Sequence, residues 1–177
     1  LFPKRKISSL YFDNKELSMF VDSEEGSLPR KKIRIRHYPN NLNDYYLEKK
    51  ITSVEGKFKT SKKMNEKEFL TLRKNGIFDF SVGNCFPIIN IFYVREYFKI
   101  KDLRITLDYE INYQTADKKN TQTDHESIIL EIKSNKDIDR TIFDETVPFE
   151  KLRFSKYCEG ITKLYGKNEY QRMALRI

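Results

Sequence analysis

The sequence predicts an α+β protein dominated by antiparallel β-structure, folded as a single domain over residues 1–177. Three observations lead there. Seven runs are rich in β-branched and aromatic residues, and most alternate polar with apolar side chains. The helical signals are few and short, and the clearest carry their own start and stop residues. A chain of 177 residues also buries an adequate core without disulfide support.

The predicted strands are residues 7–13 (ISSLYFD), 31–38 (KKIRIRHY), 44–52 (DYYLEKKIT), 56–62 (GKFKTSK), 88–98 (IINIFYVREYF), 103–111 (LRITLDYEI) and 126–134 (ESIILEIKS). A helix is predicted from Glu66 to Asn75, with Asn65 as N-cap, Glu68 as capping-box partner and Gly76 as stop. Another starts at Ser155, with Tyr157, Ile161 and Leu164 on one face and Gly166 as stop. A third helical stretch lies between Asp137 and Asp144. The segment Ala116 to Asp124 reads as an exposed loop.

Side chains two apart on a strand share a face. In KIRIR, Arg34 and Arg36 oppose Ile33 and Ile35. In YLEKKI, Glu48 and Lys50 oppose Leu47 and Ile51. Lys57, Lys59 and Ser61 line up in the next run, Arg104, Thr106 and Asp108 in RITLD, and Glu131 and Lys133 in ILEIK. A charged face in water explains any one of these strands. Five together ask for more. Arg-x-Arg and Lys-x-Lys set like charges about 7 Å apart on one strand, and like charges facing each other across strands destabilise a sheet. A face kept only for solubility mixes its signs. Rolled with the charge inward, about eight strands enclose a tunnel for one slim ligand. The outward apolar faces then need helices to cover them. A phosphate chain is slim, and its oxygens accept bidentate Arg and point-charge Lys contacts.

Composition points the same way. The net charge is +8, with 34 Lys+Arg against 26 Asp+Glu, which suits a polyanionic partner. Cys85 and Cys158 form no CxxC pattern, so neither a zinc site nor a disulfide framework is expected. No apolar run approaches the roughly 20 residues that span a bilayer, and a cytoplasmic location is the expectation. The 11 Tyr and 13 Phe fall mostly at apolar strand positions, and there is no RNP1 signature or GXXG loop. Nucleic acid is therefore not an expected partner. His37 falls on the face opposite Arg36, and no nucleophile–histidine device is visible.

Eight segments, in order, resemble the motifs of the VTC domain. They are SLYFDN (Ser9–Asn14), KIRIRHY (Lys32–Tyr38), YLEKKI (Tyr46–Ile51), KFKTSKK (Lys57–Lys63), FYVREYF (Phe92–Phe98), RITLDYEI (Arg104–Ile111), ILEIKSN (Ile129–Asn135) and FSKYCEGI (Phe154–Ile161). This is the polyphosphate-polymerase domain of the vacuolar transporter chaperone complex and its bacterial relatives. It belongs to the triphosphate tunnel metalloenzymes, with the CYTH-type and fungal RNA triphosphatases. The resemblance implies an eight-stranded antiparallel tunnel with flanking helices. The family opens with a strand and a helix before the SLYFD segment, and that first strand is expected to be missing from these 177 residues.

The resemblance also implies roles. Arg34, Arg36, Lys50, Lys59, Arg95 and Arg104 would grip phosphates, with Lys57 competing with Lys59 for one position. Glu131 would hold Mn²⁺ or Mg²⁺ with Lys133 beside it, and Glu48 would orient the bases or assist the metal. Ser155 and Lys156 would meet the terminal phosphate at the tunnel mouth. The catalytic set would be Lys59, Arg95, Arg104, Lys133 and Lys156. The implied partners are ATP and inorganic polyphosphate or tripolyphosphate, and eukaryotic members add a membrane-protein partner. The oligomeric state is not legible.

The implied reaction transfers the γ-phosphate of ATP to a polyphosphate chain. A triphosphatase using water, and a non-catalytic polyphosphate or nucleotide sensor, are the alternatives. Glu131 separates them in part: a carboxylate free of ion pairs favours catalysis, and one locked by Lys133 or Arg104 favours binding alone.

Overall fold

The structure, a computed structural model, describes residues 2–39, 44–100, 103–134, 149–150 and 152–166. The order is β1 (Arg5–Asp13), α1 (Ser18–Glu25), β2 (Arg30–His37), β3 (Tyr45–Thr52), β4 (Lys57–Met64), α2 (Glu66–Asn75), β5 (Ile77–Asp79), β6 (Gly83–Ile100), β7 (Leu103–Thr115), β8 (Thr121–Asp124), β9 (Ile129–Ser134) and α3 (Lys156–Tyr165).

The strands form one antiparallel sheet in the order β4-β3-β2-β1-β6-β7. Beyond β7, β8 pairs with Ile111–Gln114 and β9 with Leu103–Asp108, so the two act as one interrupted stave. The short β5 pairs with the start of β6. Among the described residues β4 and β9 do not pair, and the sheet is open. It is also curled: Lys50 on β3 lies near enough to Lys133 and Glu131 on β9 for their charges to act on it.

Each face has its own core. On the concave face, Tyr11, Ile89, Ile91, Ile111 and Tyr113 pack against Phe20 of α1 and Tyr157 and Ile161 of α3. Gly160 permits this approach, because a Cβ there would lie 2.7 Å from Ile89 Cδ1 and Tyr113 Cδ1. On the convex face, Leu10, Phe12, Ile33, Ile35 and Tyr45 pack with Met64, and Phe69 and Leu72 of α2 lie against them. α2 has the expected capping box between Asn65 and Glu68 and stops at Gly76.

β7 carries a bulge. Phe92 pairs with Asn112 and Val94 with Tyr109, so β7 holds one residue more than β6 there, and Glu110 sits at φ 52°. The extra residue puts Asp108 and Ile111 on the same face, one at the charged end and one in the apolar core.

Several sequence expectations change, and β5 and the extension of β7 to Thr115 are among the additions. α1 was not predicted: its N-cap Leu17 has φ 53° and makes no side-chain cap. Its free N–H groups at Met19 and Phe20 instead donate to the Asp13 carboxylate, at 3.1 and 3.0 Å. The 116–124 loop is shorter than expected, since β8 occupies Thr121–Asp124 and pairs with β7. The 18-residue β6 starts earlier and ends later than its predicted run. The predicted helix between Asp137 and Asp144 lies outside the described residues. No helix among the described residues is long and apolar enough to cross a membrane.

Candidate phosphate-binding groove

Strand pairing arranges the basic side chains in rows. Lys32 on β2 faces Lys50 on β3, and Lys50 faces Lys59 on β4. One step along, Tyr11, Arg34, Glu48 and Ser61 form the next row, followed by Ser9, Arg36, Tyr46 and Lys63. Beyond β6, Arg95 faces Asp108, and Lys99, Arg104 and Lys133 form another row of like charge. Alternation places all these side chains on the concave face.

Two carboxylates organise this face. Glu48 is buried; it accepts Arg34 Nε at 2.7 Å and Lys59 Nζ at 2.6 Å, and Arg36 Nε lies 3.7 Å away. Burial alone would raise its pKa, but Arg34 and Arg36 outweigh that and lower it to about 2. Arg34 also donates to the Tyr11 hydroxyl at 2.9 Å. Burial works to raise the Tyr11 phenol, and the same arginine brings its pKa below the usual value. Asp108 is fully buried and takes Arg95 through both oxygens, at 2.5 and 2.6 Å. Lys156 Nζ lies 2.5 Å from the same carboxylate and 4.9 Å from the centre of the Tyr93 ring.

α3 delivers its first turn into this network. Ser155 caps the helix by accepting Cys158 N–H at 3.3 Å, and its hydroxyl also accepts Lys32 Nζ at 2.7 Å. A helix N-terminus favours negative charge. Here it lies beside Lys32 and Lys156 on the concave face.

Glu131 differs from the other two carboxylates. Its side chain is 42% exposed; Lys133 Nζ lies 3.0 Å and Arg95 Nη2 3.7 Å away. Its pKa is lowered, because the pull of Lys133 and Arg95 exceeds the opposing effect of burial. Lys50 is lowered in turn, first by burial and then by Lys32, Lys57 and Lys133. No cluster of three metal-ligating side chains exists among the described residues.

The predicted residues are thus divided. Arg34, Arg36 and Lys59 meet at Glu48, with Lys50 and Lys57 nearby. Arg95 and Lys156 meet at Asp108, and Ser155 joins through Lys32. Arg104 is exposed at the far end of β7 with Lys99 and Lys133 as strand neighbours. Sequence reasoning passed over Lys32, although it stands two before Arg34 in the same alternation. It gave no role to Asp108, which it had placed on the charged face, and none to Tyr11 or Arg5. The Arg5 guanidinium stacks over Phe2, Tyr38 and Tyr97 at 4.4, 4.2 and 5.0 Å, and Arg5 Nε donates to the Tyr97 hydroxyl at 2.8 Å.

The sequence profile of the VTC domain matches residues 3–82 and 77–165. The chain belongs to the VTC domain family. No curated protein matches it. Among solved structures, the VTC domain described here resembles the crystal structure of a "putative adenylate cyclase" from Bacillus halodurans. The TM-score is 0.62 at 10% identity, over 88% of this chain and 81% of that one, and the likeness concerns the fold. Family and fold together make this VTC domain a nucleotide- or polyphosphate-acting protein of the triphosphate tunnel type.

Proposed function

We propose that the domain is a polyphosphate polymerase: it seats the triphosphate of ATP on the concave basic face and transfers the γ-phosphoryl group to the end of a polyphosphate chain. A terminal phosphate oxygen of the chain forms the new bond to the γ-phosphorus. The bond from that phosphorus to the β-phosphate bridging oxygen breaks, and ADP leaves with the electron pair. The attacking oxygen is already anionic at neutral pH, so no general base is needed. The observation that carries the reading is the Lys32–Lys50–Lys59 row together with Arg36 two rows along, whose buried Nε has no hydrogen-bond partner among the described residues. A buried donor left unpaired costs free energy that an incoming phosphate oxygen relieves.

The chain's own groups supply positioning and charge neutralisation. Arg34, Arg36, Lys50 and Lys59 hold one stretch of phosphates, with Lys57 at its rim. Lys32, Ser155 and Lys156 meet a terminal phosphate at the start of α3, with Arg95 beside them. Arg104 and Lys133 guide the chain at the far end. Glu131 fits as a metal ligand: Mg²⁺ and Mn²⁺ take one or two carboxylates plus substrate phosphates, and its half-exposed side chain is within reach of the groove. A bound metal would withdraw charge from the phosphate oxygens it touches. Glu48, already held by Arg34 and Lys59, serves instead to orient those bases.

A second reading is a polyphosphate-binding domain without turnover. The Glu131–Lys133 pair at 3.0 Å favours it. Both side chains are about half exposed, so the pair is weak enough for a metal to displace the ammonium. Incubation with ATP and Mn²⁺, followed by gel analysis for polymer and assay of ADP and phosphate, tests the proposal. Polymer with matching ADP supports the polymerase. Phosphate without polymer points to a triphosphatase. Tight polyphosphate binding with neither product points to the binder.

A further inference from the structure

The convex face carries a second depression, unconnected with the basic rows. It has a volume of ≈ 300 Å³, at the small end of ligand pockets. Its floor is the middle of the sheet, where Ser8, Leu10, Ile35, Asn90, Phe92 and Gln114 alternate away from the concave groove. One wall is a continuous aromatic stack: His37 on Tyr45 at 4.3 Å and Tyr45 on Phe69 of α2 at 4.5 Å. Arg73 of α2 and Lys118 of the β7–β8 turn also line it.

Half of this floor, Ser8, Asn90 and Gln114, is polar at the centre of a sheet, where an element covering it would call for apolar residues throughout. Ser8 and Asn90 have no side-chain hydrogen-bond partner among the described residues. The His37 Nε2 atom is buried and equally without a partner among them. Burial lowers the His37 pKa, which favours the neutral ring that can donate at one nitrogen and accept at the other.

We infer that this depression is a binding site for a nucleoside monophosphate, distinct from the phosphate groove. The two cations match one phosphate group. The Asn90 amide, the Gln114 carbonyl oxygen (Gln114 Nε2 already donates to Thr121 Oγ1 at 3.2 Å), the Ser8 hydroxyl and the imidazole match the edge of a planar base, which offers both donors and acceptors. The aromatic rings supply the apolar wall. Asp44 and Glu66 act on His37, so the field at that end repels an anion and orients the phosphate toward Arg73 and Lys118. The site rests on the convex residues alone and stands whether or not the groove polymerises phosphate.

AMP is the probe, added to the ¹⁵N-labelled chain while the side-chain amide signals of Asn90 and Gln114 are followed by NMR. The expected result is saturable shifts of both. Arg73→Ala and Asn90→Leu each weaken binding about tenfold or more, as loss of a charge-assisted or buried hydrogen bond does. Arg34→Ala, in the groove, leaves the AMP titration unchanged. Tripolyphosphate reproduces none of the amide shifts. The inference is overturned if AMP moves neither amide at millimolar concentration, or if its effect disappears in Arg34→Ala and survives in Arg73→Ala. Fold retention is checked by the backbone spectrum of each variant. Should Arg73→Ala fail to fold, Lys118→Ala at the exposed turn is expected to weaken binding in the same way, and unchanged affinity there also overturns it.

Discussion

Lys156 and Asp108 are joined at 2.5 Å, and that contact fastens the first turn of α3 to the middle of β7. Asp108 also holds Arg95, so one fully buried carboxylate balances two cations drawn from different elements. Breaking such a network by removing the shared partner strands charge in the interior and costs about 3–5 kcal/mol. Asp108→Ala is therefore expected to lower the thermal midpoint sharply. Polyphosphate should then raise the midpoint of the variant by more than that of the wild type, because a phosphate can replace the lost negative charge. Thermal unfolding with and without ligand measures both. Equal shifts in the two proteins would mean that the phosphates do not reach this network.

Arg34 and Arg36 are predicted to behave differently. Loss of either should weaken polyphosphate or triphosphate binding by about 1.5–3 kcal/mol, the range for a charge-assisted hydrogen bond. Arg34→Ala also removes a direct partner of Glu48 and should reduce stability, whereas Arg36 sits 3.7 Å from that carboxylate and should affect mainly affinity. Affinity should fall with added salt in every case. Calorimetric titration beside unfolding curves separates the two effects, and unchanged affinity in both variants would place the ligand elsewhere.

The pH dependence of stability follows from Glu48. Its folded pKa, about 2, lies below the value of an unfolded glutamate. A carboxyl group depressed by folding contributes stability that is fully present above its unfolded pKa, and that stability is lost as pH falls toward the folded pKa. Stability should drop between about pH 4.5 and 2, and Glu48→Gln should remove part of that slope while being less stable than wild type at pH 7. A variant with an unaltered acid limb in denaturant titrations would show that Glu48 is not a principal source of it.

Glu131→Gln separates binding from chemistry. The substitution is expected to abolish Mn²⁺- or Mg²⁺-dependent turnover of ATP, while metal-free polyphosphate binding stays equal or tightens as one repulsive charge disappears. Near-full activity would exclude Glu131 as the metal ligand and turn attention to Glu48.

Much of this was legible in the sequence because local rules wrote it. Period-two alternation set the faces of β2, β3, β4, β7 and β9, and with them which bases share a surface. Asn65, Glu68 and Gly76 bounded α2, and Ser155 and Gly166 bounded α3, since caps satisfy backbone groups within a few residues. α1 escaped because its N-terminal donors are met by Asp13, a carboxylate at the end of β1 rather than a local cap. The partners of the charges also required tertiary structure. Alternation told that Arg34, Arg36 and Glu48 face the same way; only strand pairing seated Glu48 between Arg34 and Lys59. Only the bulge at Glu110 gave Asp108 and Ile111 a common face, and only the packing of α3, through its Gly160, onto Ile89 and Tyr113 brought Lys156 to Asp108 and Ser155 to Lys32. Periodicity is a property of neighbouring residues and survives in one dimension. Register, bulges and helix docking depend on residues far apart in the chain, and the fold alone decides them.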